Sequence, residues 1–334
     1  MTGQISIVTS LYRTEQHLPA FIQYALDVAG QVRQAGDYSP EFIIVANEAT
    51  ERERLLLDDF QQRYDQVKVL YVPRESLYAS WNRGVQAATG QAIGFWNVDD
   101  IRTSAGLIEG YNQIVNGCQL VYFSHTVIRT ASGRQRERRQ TYPAAPFDPE
   151  LHRRVMKCGP FFMFAPELYQ RVGGGGFDER FRIVGDWEWC IRALNHTEFC
   201  PRDLIAGYFL LHGGNLSDSG NPLQLAEENI IYLLNRASDR LIPIDPELMH
   251  KTWSKWAESL PLTPELEARL WGEGAKQRAE DWLRHKKQMQ RRTRLQNVIR
   301  YLPKKVIDQT GLRPYLAKLG LVKNRPSKTG KAEQ

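Results

Sequence analysis

The stretch PRESLYASWNRGVQAATGQAIGFWNVDD, residues 73–100, contains one helix-to-strand unit. Its first half predicts a helix over residues 78–88, which Gly90 ends. Its second half predicts a buried strand over residues 92–97, rich in apolar and aromatic side chains. Two adjacent carboxylates, Asp99 and Asp100, come directly after that strand. Such a unit is typical of a parallel sheet that is covered by helices.

The same alternation extends on both sides of this unit, over the first 125 residues. The predicted strands are residues 5–11, 41–46, 67–72, 92–97 and 120–124, and the predicted helices are residues 16–34, 51–64, 78–88 and 105–116. This order predicts an α/β fold, in which a mostly parallel central sheet carries helices on both faces.

Polar side chains follow four of the predicted strands. In parallel sheets, ligands bind at the carboxyl ends of the strands, so these residues are candidates for a binding site. They are Ser10 and Tyr12 at the end of the first strand, Asn47 after the second, Arg74 after the third, and Asn97, Asp99 and Asp100 at the end of the fourth.

The pair Asp99–Asp100 is the strongest local signal for chemistry. Two adjacent carboxylates at a strand end repel each other and are costly to desolvate unless a positive charge is near. A divalent cation, Mn²⁺ or Mg²⁺, would offset that cost and could neutralise a diphosphate leaving group. The alternative is an ordinary turn, since Asp is common after strands.

Downstream of residue 125 the pattern changes. Residues 126–148 include SGRQRERRQ followed by Pro143 and Pro146, with Pro149 just beyond, and predict a solvated hairpin or flap. Further helices are predicted over residues 166–172, 187–194 and 223–235, a short strand over residues 208–211, and only helices beyond Pro243. Asp186 precedes one of these helices, and His212 ends the short strand.

Composition limits the class of protein. Hydrophobic residues make up 42% and charged residues 25% of the 334 residues, as in ordinary globular proteins. We see no apolar run long enough for a transmembrane helix and no secretory signal, so we expect a cytoplasmic protein. The four cysteines form no C-x-x-C pair. We therefore expect neither a zinc site nor a disulfide framework, and interpret the cysteines as mostly buried, small apolar side chains.

Five sequence blocks resemble the family 2 glycosyltransferases of the GT-A fold and occur in that family's order over residues 4–218. The blocks are ISIVTSLYRTEQHL, EFIIVANEATERE, the stretch at residues 73–100, GGGFDERFRIVGDWEWCIRA and GYFLLHGGNLS. The resemblance implies an enzyme that moves a sugar, with inversion, from a nucleotide-sugar donor to a hydroxyl of a glycan or lipid-linked acceptor. It also implies a divalent cation on the diphosphate.

The resemblance assigns roles to particular residues. Asp186 matches the catalytic general base, although a plain helix N-cap is the alternative. Asp99 and Asp100 match the carboxylates that hold the metal and the ribose, and His212 is a metal or diphosphate ligand or a structural histidine. The positions that match the nucleotide-sugar site are Ser10, Tyr12, Asn47, Arg74, Asn82, Asn97 and Asp99. Tyr12 could instead pack in the core, and Asn82 could bond to backbone.

Three positions depart from the family pattern. Ala46–Asn47 replaces a pair of aspartates, Asn97 stands where an Asp is frequent, and Gly185 stands where an acidic residue often precedes the base. Asn47 and Asn97 support an alternative, a sugar-nucleotide-binding pseudoenzyme or scaffold, whereas the retention of Asp99, Asp100 and Asp186 argues against it. A nucleotidyltransferase is a third hypothesis, but SLYRTEQ lacks the glycine-rich phosphate loop that such enzymes usually carry after the first strand.

The C-terminal part is strongly basic. Residues 275–334 contain 17 Lys and Arg against 4 Asp and Glu, which leaves a net charge of −7 for the first 274 residues. We predict a catalytic domain over residues 1–240, a basic helical extension over 241–322 and a disordered tail over 323–334. The extension could lie on an anionic membrane surface at the inner face of the plasma membrane, or form a solvated helical face. Nucleic acid is a less favoured partner, because no nucleic-acid module is recognisable.

Overall fold

The computed structural model describes residues 3–129, 137–212, 215–216 and 221–301, with side chains up to residue 289. The described chain divides into two compact units. The first unit comprises the described residues of Met1–Ile242 together with Thr252–Pro261, and it contains the sheet. The second unit comprises Pro243–Lys251 and the described residues from Leu262 onward, and it is helical.

Strands and helices alternate in the first unit. The strands are β1 Gly3–Leu11, β2 Tyr38–Asn47, β3 Val67–Val72, β4 Ala92–Phe95, β5 Ile101–Arg102, β6 Leu120–Arg129, β7 Arg138–Tyr142, β8 Met163–Phe164 and β9 Cys200–Leu211. The helices are α1 Leu18–Gln34, α2 Glu51–Arg63, α3 Leu77–Ala87, α4 Ser104–Val115, α5 Pro149–Arg154, α6 Pro166–Val172, α7 Gly185–Ala193 and α8 Pro222–Leu234. Helices α9 Pro246–Trp253, α10 Pro264–Trp271 and α11 Ala275–Tyr301 follow.

Within the described residues, all nine strands belong to one sheet. Its main order is β3-β2-β1-β4-β8-β6-β9-β5, and β7 pairs with β6. Neighbours among β3, β2, β1 and β4 are parallel, as are β6 and β9. The predicted α/β fold with a mostly parallel sheet and a C-terminal helical region is confirmed. Short antiparallel strands β5 and β8 and the β6–β7 hairpin complete the second half of the sheet.

Side-chain caps fix where the helices begin, directly after strand ends. Thr50 accepts a hydrogen bond from the Glu53 backbone, and the Glu53 carboxylate accepts one from the Thr50 backbone, which forms a capping box at the start of α2. Ser76 caps α3 with a single hydrogen bond, which its side chain accepts from the Ala79 N–H. These caps hold the loops at the carboxyl ends of β2 and β3 in defined positions.

A glycine brings α3 close to the sheet. A Cβ atom at Gly84 would collide with the Val8 side chain on β1, so any larger residue would push the helix outward. Helix α3 carries Tyr78, Ser80 and Asn82, all of them buried. The close approach of α3 to β1 therefore positions three buried polar side chains next to the strand ends.

The expectation for the cysteines is wrong for two of the four. Cys118 and Cys200 form a disulfide with Cα atoms 6.4 Å apart, although 82 positions separate them in the sequence. Strands β6 and β9 pair in parallel with Val121 opposite Cys200, and this long-range pairing brings the cysteines together. Spacing along the chain could not reveal such a pairing. Cys158 and Cys190 are free and buried, as expected.

The second half of the chain follows the predicted pattern of short elements. Helix α6 has the predicted bounds, and β9 begins eight residues earlier than the predicted strand over residues 208–211. The predicted flap begins as the hairpin of β6 and β7, whose turn lies outside the described residues. The predicted disordered tail over residues 323–334 also lies outside them.

Helix α11 is 27 residues long and rich in Lys and Arg. No helix in the described part of the chain is long and apolar enough to cross a membrane. In the second unit, the rings of His250 and Trp271 meet edge to face with their centroids 5.2 Å apart. This contact joins α9 to α10 within that unit.

Candidate active site

The parallel strands bring the predicted residues to one edge of the sheet. Leu11 lies opposite Ala46, and Asn47 lies opposite Val72, so the ends of β1, β2 and β3 are level. Strand β4 is parallel to β1 and ends just before Asn97 and Asp99. The strand-end residues found in the sequence therefore share a single edge.

Tyr12 and Arg74 meet at this edge, although 62 positions separate them in the sequence. The Arg74 guanidinium lies over the Tyr12 ring, with Cζ 3.4 Å from the ring centroid. This contact is a cation–π pair between a half-buried ring and an exposed cation. Stacking planes and positive charge are what a nucleotide base and its phosphates require.

Asn47 is buried, and its side-chain amide forms hydrogen bonds with neighbouring segments of the protein. Its Nδ2 lies 2.9 Å from Ser80 Oγ and 3.3 Å from both Ser10 Oγ and the Leu11 carbonyl oxygen. Its Oδ1 accepts a hydrogen bond of 3.0 Å from the Glu75 N–H. The side chain thus ties the end of β1 to the loop and helix that follow β3. Both of its polar groups are already engaged within the protein.

Asp99 and His212, two of the predicted metal ligands, are in contact in the structure. Asp99 Oδ2 lies 3.1 Å from His212 Nε2 and 3.2 Å from Asn215 Nδ2. The His17 ring, just before α1, stacks on the His212 ring with centroids 5.2 Å apart. Asn215 and His17 are additions to the predicted set: both lie in the quoted sequence blocks, but neither was assigned a role there.

Asp100, the next residue after Asp99, is only 3% exposed. One carboxylate oxygen accepts a hydrogen bond of 3.1 Å from the Leu210 N–H, and the other accepts one of 3.2 Å from Asn97 Nδ2. Burial, and secondarily the neighbouring charge of Asp99, raise the pKa of Asp100 well above its usual range. These contacts fasten β9, and with it His212, to the end of β4.

Asp99 and His212 are the candidate ligands for a divalent cation at this edge of the sheet. Among the described residues, no three or more His, Cys, Asp or Glu side chains cluster so as to hold a metal ion. Asp99 Oδ2 and His212 Nε2 are 3.1 Å apart, close to the ~3 Å between adjacent ligands of an octahedral ion. Two side chains are fewer than a divalent cation needs, so other groups would have to supply its remaining ligands.

Asn82 faces the segment that precedes Asp186. Its Nδ2 donates to the Phe177 carbonyl at 2.9 Å and to Glu179 at 3.0 Å, and its Oδ1 accepts from the Phe177 N–H and the Tyr169 hydroxyl, both at 2.8 Å. These contacts agree with the alternative of a helix residue that bonds to backbone. They fasten the loop that begins with the four glycines of residues 173–176.

Asp186 lies in the first turn of α7 and is partly exposed. The N-cap of this helix is Val184, so Asp186 does not fill the N-cap position. Its Oδ1 accepts hydrogen bonds of 2.9 Å from the Trp187 N–H and 3.3 Å from the Tyr78 hydroxyl. Burial raises the pKa of Asp186 to about 6, against the opposing effect of these hydrogen bonds. A carboxylate with such a pKa can take up a proton near neutral pH.

Tyr78 explains the departure at Gly185. A Cβ atom at Gly185 would lie 2.7 Å from the Tyr78 ring, so a larger residue would displace that ring. The Tyr78 hydroxyl also donates to the Ile183 carbonyl at 2.8 Å. Sequence reasoning singled out Gly185 as a loss of charge but did not identify Tyr78. The absence of a side chain at Gly185 leaves room for the Tyr78 ring, whose hydroxyl contacts Ile183 and Asp186.

The comparison with known structures agrees with this fold. The crystal structure of S. aureus TarS is similar with a TM-score of 0.52 at 13% identity, and the match covers 84% of this chain and 54% of TarS. S. aureus TarS 1-349 in complex with UDP-GlcNAc gives a TM-score of 0.50 at 14% identity, over 82% of this chain and 81% of that one. This chain thus matches about half the length of the longer TarS chain, and identities this low establish the fold alone.

Sequence comparison identifies the family. No curated protein sequence matches this chain. Residues 6–173, half of the chain, match the family described as Glycosyl transferase family 2. The matched segment includes the strand ends with Tyr12, Arg74 and Asp99, whereas Asp186 and His212 lie beyond it. The chain belongs to glycosyl transferase family 2.

Proposed function

We propose that this protein transfers a sugar from a nucleotide-diphosphate donor to an acceptor hydroxyl, with inversion at the anomeric carbon. The observation that carries the proposal is the Asp186 carboxyl group. It is partly exposed, held by the Tyr78 hydroxyl and the Trp187 N–H, and has a pKa of about 6. Family membership supports the same class of reaction.

The proposed step uses Asp186 as the general base. Its carboxylate takes the proton of the acceptor hydroxyl while the acceptor oxygen forms a bond to the anomeric carbon. The bond between that carbon and the donor's diphosphate oxygen breaks, and the nucleoside diphosphate leaves with the electron pair. Attack opposite the leaving group inverts the anomeric centre. A pKa near 6 leaves most of the carboxyl ionised, and able to accept a proton, at pH 7.

Mn²⁺ or Mg²⁺ is the proposed cofactor. Asp99 and His212 would hold it, because their donor atoms are spaced like adjacent ligands of one ion. When bound, such an ion supplies positive charge to the leaving diphosphate. Asp100 would support the site indirectly, since both of its oxygens already accept hydrogen bonds from Leu210 and Asn97.

Tyr12 and Arg74 are the proposed contacts for the nucleotide. The cation–π pair offers one flat face and one guanidinium at the edge where a donor would lie. UDP-GlcNAc, which TarS 1-349 holds in its complex, is the first donor to try. Asn47 would shape the pocket through its internal hydrogen bonds rather than read the base directly.

A glycan or a lipid-linked molecule is the proposed acceptor.

An anionic membrane surface is a proposed partner of α11. The exposed cations on this helix support that proposal, namely Lys276, Arg278, Arg284 and Lys287. Co-sedimentation with vesicles of 30% anionic lipid should be strong at 50 mM salt and weak at 300 mM salt. Absence of binding at 50 mM salt would remove the membrane from the list of partners.

The test of the function is thermal stabilisation by nucleoside diphosphates and sugar nucleotides, with and without Mn²⁺ or Mg²⁺. A ligand at 100 times its Kd adds about 2.7 kcal/mol to the native state. We expect one nucleotide to raise the Tm in a metal-dependent way, and its sugar conjugate to be hydrolysed slowly or transferred. A protein that responds to no nucleotide would contradict the proposal.

One observation favours the alternative, a nucleotide-sugar-binding scaffold without transfer. The amide that replaces the family's aspartate at position 47 is buried and bonded within the protein. A metal-dependent rise in Tm without hydrolysis or transfer would support the scaffold. Turnover of the sugar nucleotide would exclude it.

A further inference from the structure

Helix α8 carries a buried carboxylate, Glu227, with no exposed surface. Its two oxygens accept hydrogen bonds from three consecutive backbone N–H groups. These are Arg182 at 2.8 Å, Ile183 at 2.8 Å and Val184 at 3.3 Å. A buried carboxylate with three such donors is a specific arrangement, because an unpaired buried charge is strongly unfavourable.

The three N–H groups immediately precede α7, the helix whose first turn contains Asp186. The backbone at a helix start needs external acceptors, and the N-cap Val184 has no side chain that could provide one. Glu227 supplies that acceptor from another helix, 43 positions further along the chain. A negative charge at this end of α7 is also favourable for the helix dipole.

A second contact holds the same segment from the other side. The Tyr78 hydroxyl on α3 lies 2.8 Å from the Ile183 carbonyl oxygen and 3.3 Å from Asp186 Oδ1, and these two acceptors share its one hydrogen. Ile183 is thus fixed through its N–H by Glu227 and through its carbonyl by Tyr78. Two helices that are distant in sequence together determine where the chain enters α7.

We propose that Glu227 is a positioning residue that sets the place of the Asp186 carboxylate and adds to its proton affinity. The proposal rests on the function proposed above, in which Asp186 is the base. Glu227 acts through the backbone of residues 182–184 and through its charge, without touching substrate. Its location beyond residues 6–173 places it outside the part of the chain that matches the family.

The charge of Glu227 acts in a known direction. Around Asp186 the titratable groups are Tyr78 on α3, Glu227 on α8, and the thiols of Cys158 and Cys190. Burial is the largest cause of the raised pKa of Asp186, and hydrogen bonds from Trp187, Tyr78 and its own backbone oppose it. The negative charge of Glu227 is a smaller effect that raises the pKa further. Neutralising Glu227 should therefore lower the pKa of Asp186 below about 6. The acidic limb of the pH–rate profile would move to lower pH.

The experiment compares Glu227→Gln and Glu227→Asp with the wild-type full chain. A glutamine keeps the volume but has one acceptor oxygen for three N–H groups. We expect Glu227→Gln to lower kcat about 10-fold or more, to leave the donor KM nearly unchanged, and to shift the acidic limb downward. Glu227→Asp keeps the charge and should keep the limb in its wild-type position.

Asn229→Ala is the matched control on the same helix. Asn229 is also buried and also binds a backbone segment through its side chain. Its amide donates to the Ile242 carbonyl at 2.8 Å and accepts a hydrogen bond of 2.7 Å from the Ile242 N–H. This variant should lower the Tm without moving the acidic limb. If Glu227→Gln behaves in the same way, Glu227 is structural and the proposal is overturned.

A second readout does not depend on transfer. The carboxyl ¹³C signal of Asp186, assigned by its absence in Asp186→Asn, reports the pKa directly by NMR. A lower pKa in Glu227→Gln than in wild type supports the proposal even if no donor is found. If the pKa of Asp186 is the same in Glu227→Gln as in wild type, the proposal for Glu227 is overturned. If the wild-type protein shows no transfer activity, only the proposed function is contradicted.

Discussion

Replacing Asp186 by Asn should abolish measurable transfer while leaving donor binding intact. An amide of the same shape can keep the hydrogen bonds from Tyr78 and Trp187 but cannot take up the acceptor's proton. Loss of a general base lowers kcat by about 10²- to 10⁴-fold. The measurement is the transfer rate at saturating donor, together with the Tm increase that the nucleotide produces. Transfer at the wild-type rate would remove Asp186 from the role of base.

The same variant should also be more stable than wild type at pH 8. The folded pKa of Asp186 is about 6, above the ordinary value of 3.8, so the folded protein holds this proton more tightly than the unfolded chain does. That contribution to stability is fully present below about pH 4 and is lost as the pH rises through about 6. At pH 8 the ionised, partly exposed carboxylate costs about 1–3 kcal/mol, and the asparagine avoids this cost.

A nearby carboxylate provides a control of opposite sign. Asp178 accepts hydrogen bonds from Arg180 and Trp256, and these contacts lower its pKa despite its partial burial. Its stabilising effect is present above the ordinary pKa and is lost as the pH falls. Asp178→Asn should therefore lower the Tm at pH 8, where Asp186→Asn raises it. If both variants lower the Tm at pH 8, the pKa of Asp186 is not raised in the folded protein.

Strands and helices with a strong local pattern could be predicted from the sequence. Strand β3 and helix α6 have the predicted bounds, because apolar periodicity and flanking turn residues coincide there. The two-residue strands β5 and β8 are too short to have a pattern, and they exist only through pairing with β9, β4 and β6. The prediction began β9 too late, because Pro201, Arg202 and Asp203 near its start interrupt the apolar pattern that indicates a strand.

The chemical types at the site were predictable, but their hydrogen-bond partners were not. Strand ends indicated Tyr12, Arg74 and Asp99, since the carboxyl ends of parallel strands must meet. Asn47 and Asn82 are the right residue types for a nucleotide site, yet the structure shows their amides bonded to loops and backbone. Partners such as Glu227 for residues 182–184 depend on packing between distant helices. No local pattern contains that information.

Asp99→Ala is expected to remove the metal dependence of donor binding. The change deletes the carboxylate that lies 3.1 Å from His212 and 3.2 Å from Asn215, and leaves the imidazole as a single protein ligand. We expect the donor Kd with Mn²⁺ to rise roughly 10²-fold, since the ion links protein to diphosphate. Calorimetric titration of the donor with Mn²⁺ and with EDTA measures the difference.

Two further variants separate this effect from a general loss of charge or fold. Asp65 precedes β3 at the opposite edge of the sheet and pairs with Arg33, so Asp65→Ala should leave the donor Kd unchanged. Asp100→Asn should keep the metal dependence of donor binding, because both oxygens of Asp100 are already engaged by Leu210 and Asn97 within the protein. If Asp99→Ala still binds the donor more tightly with Mn²⁺ than with EDTA, the ion is held elsewhere. In that case the contact between Asp99 and His212 serves to close β9 over the end of β4.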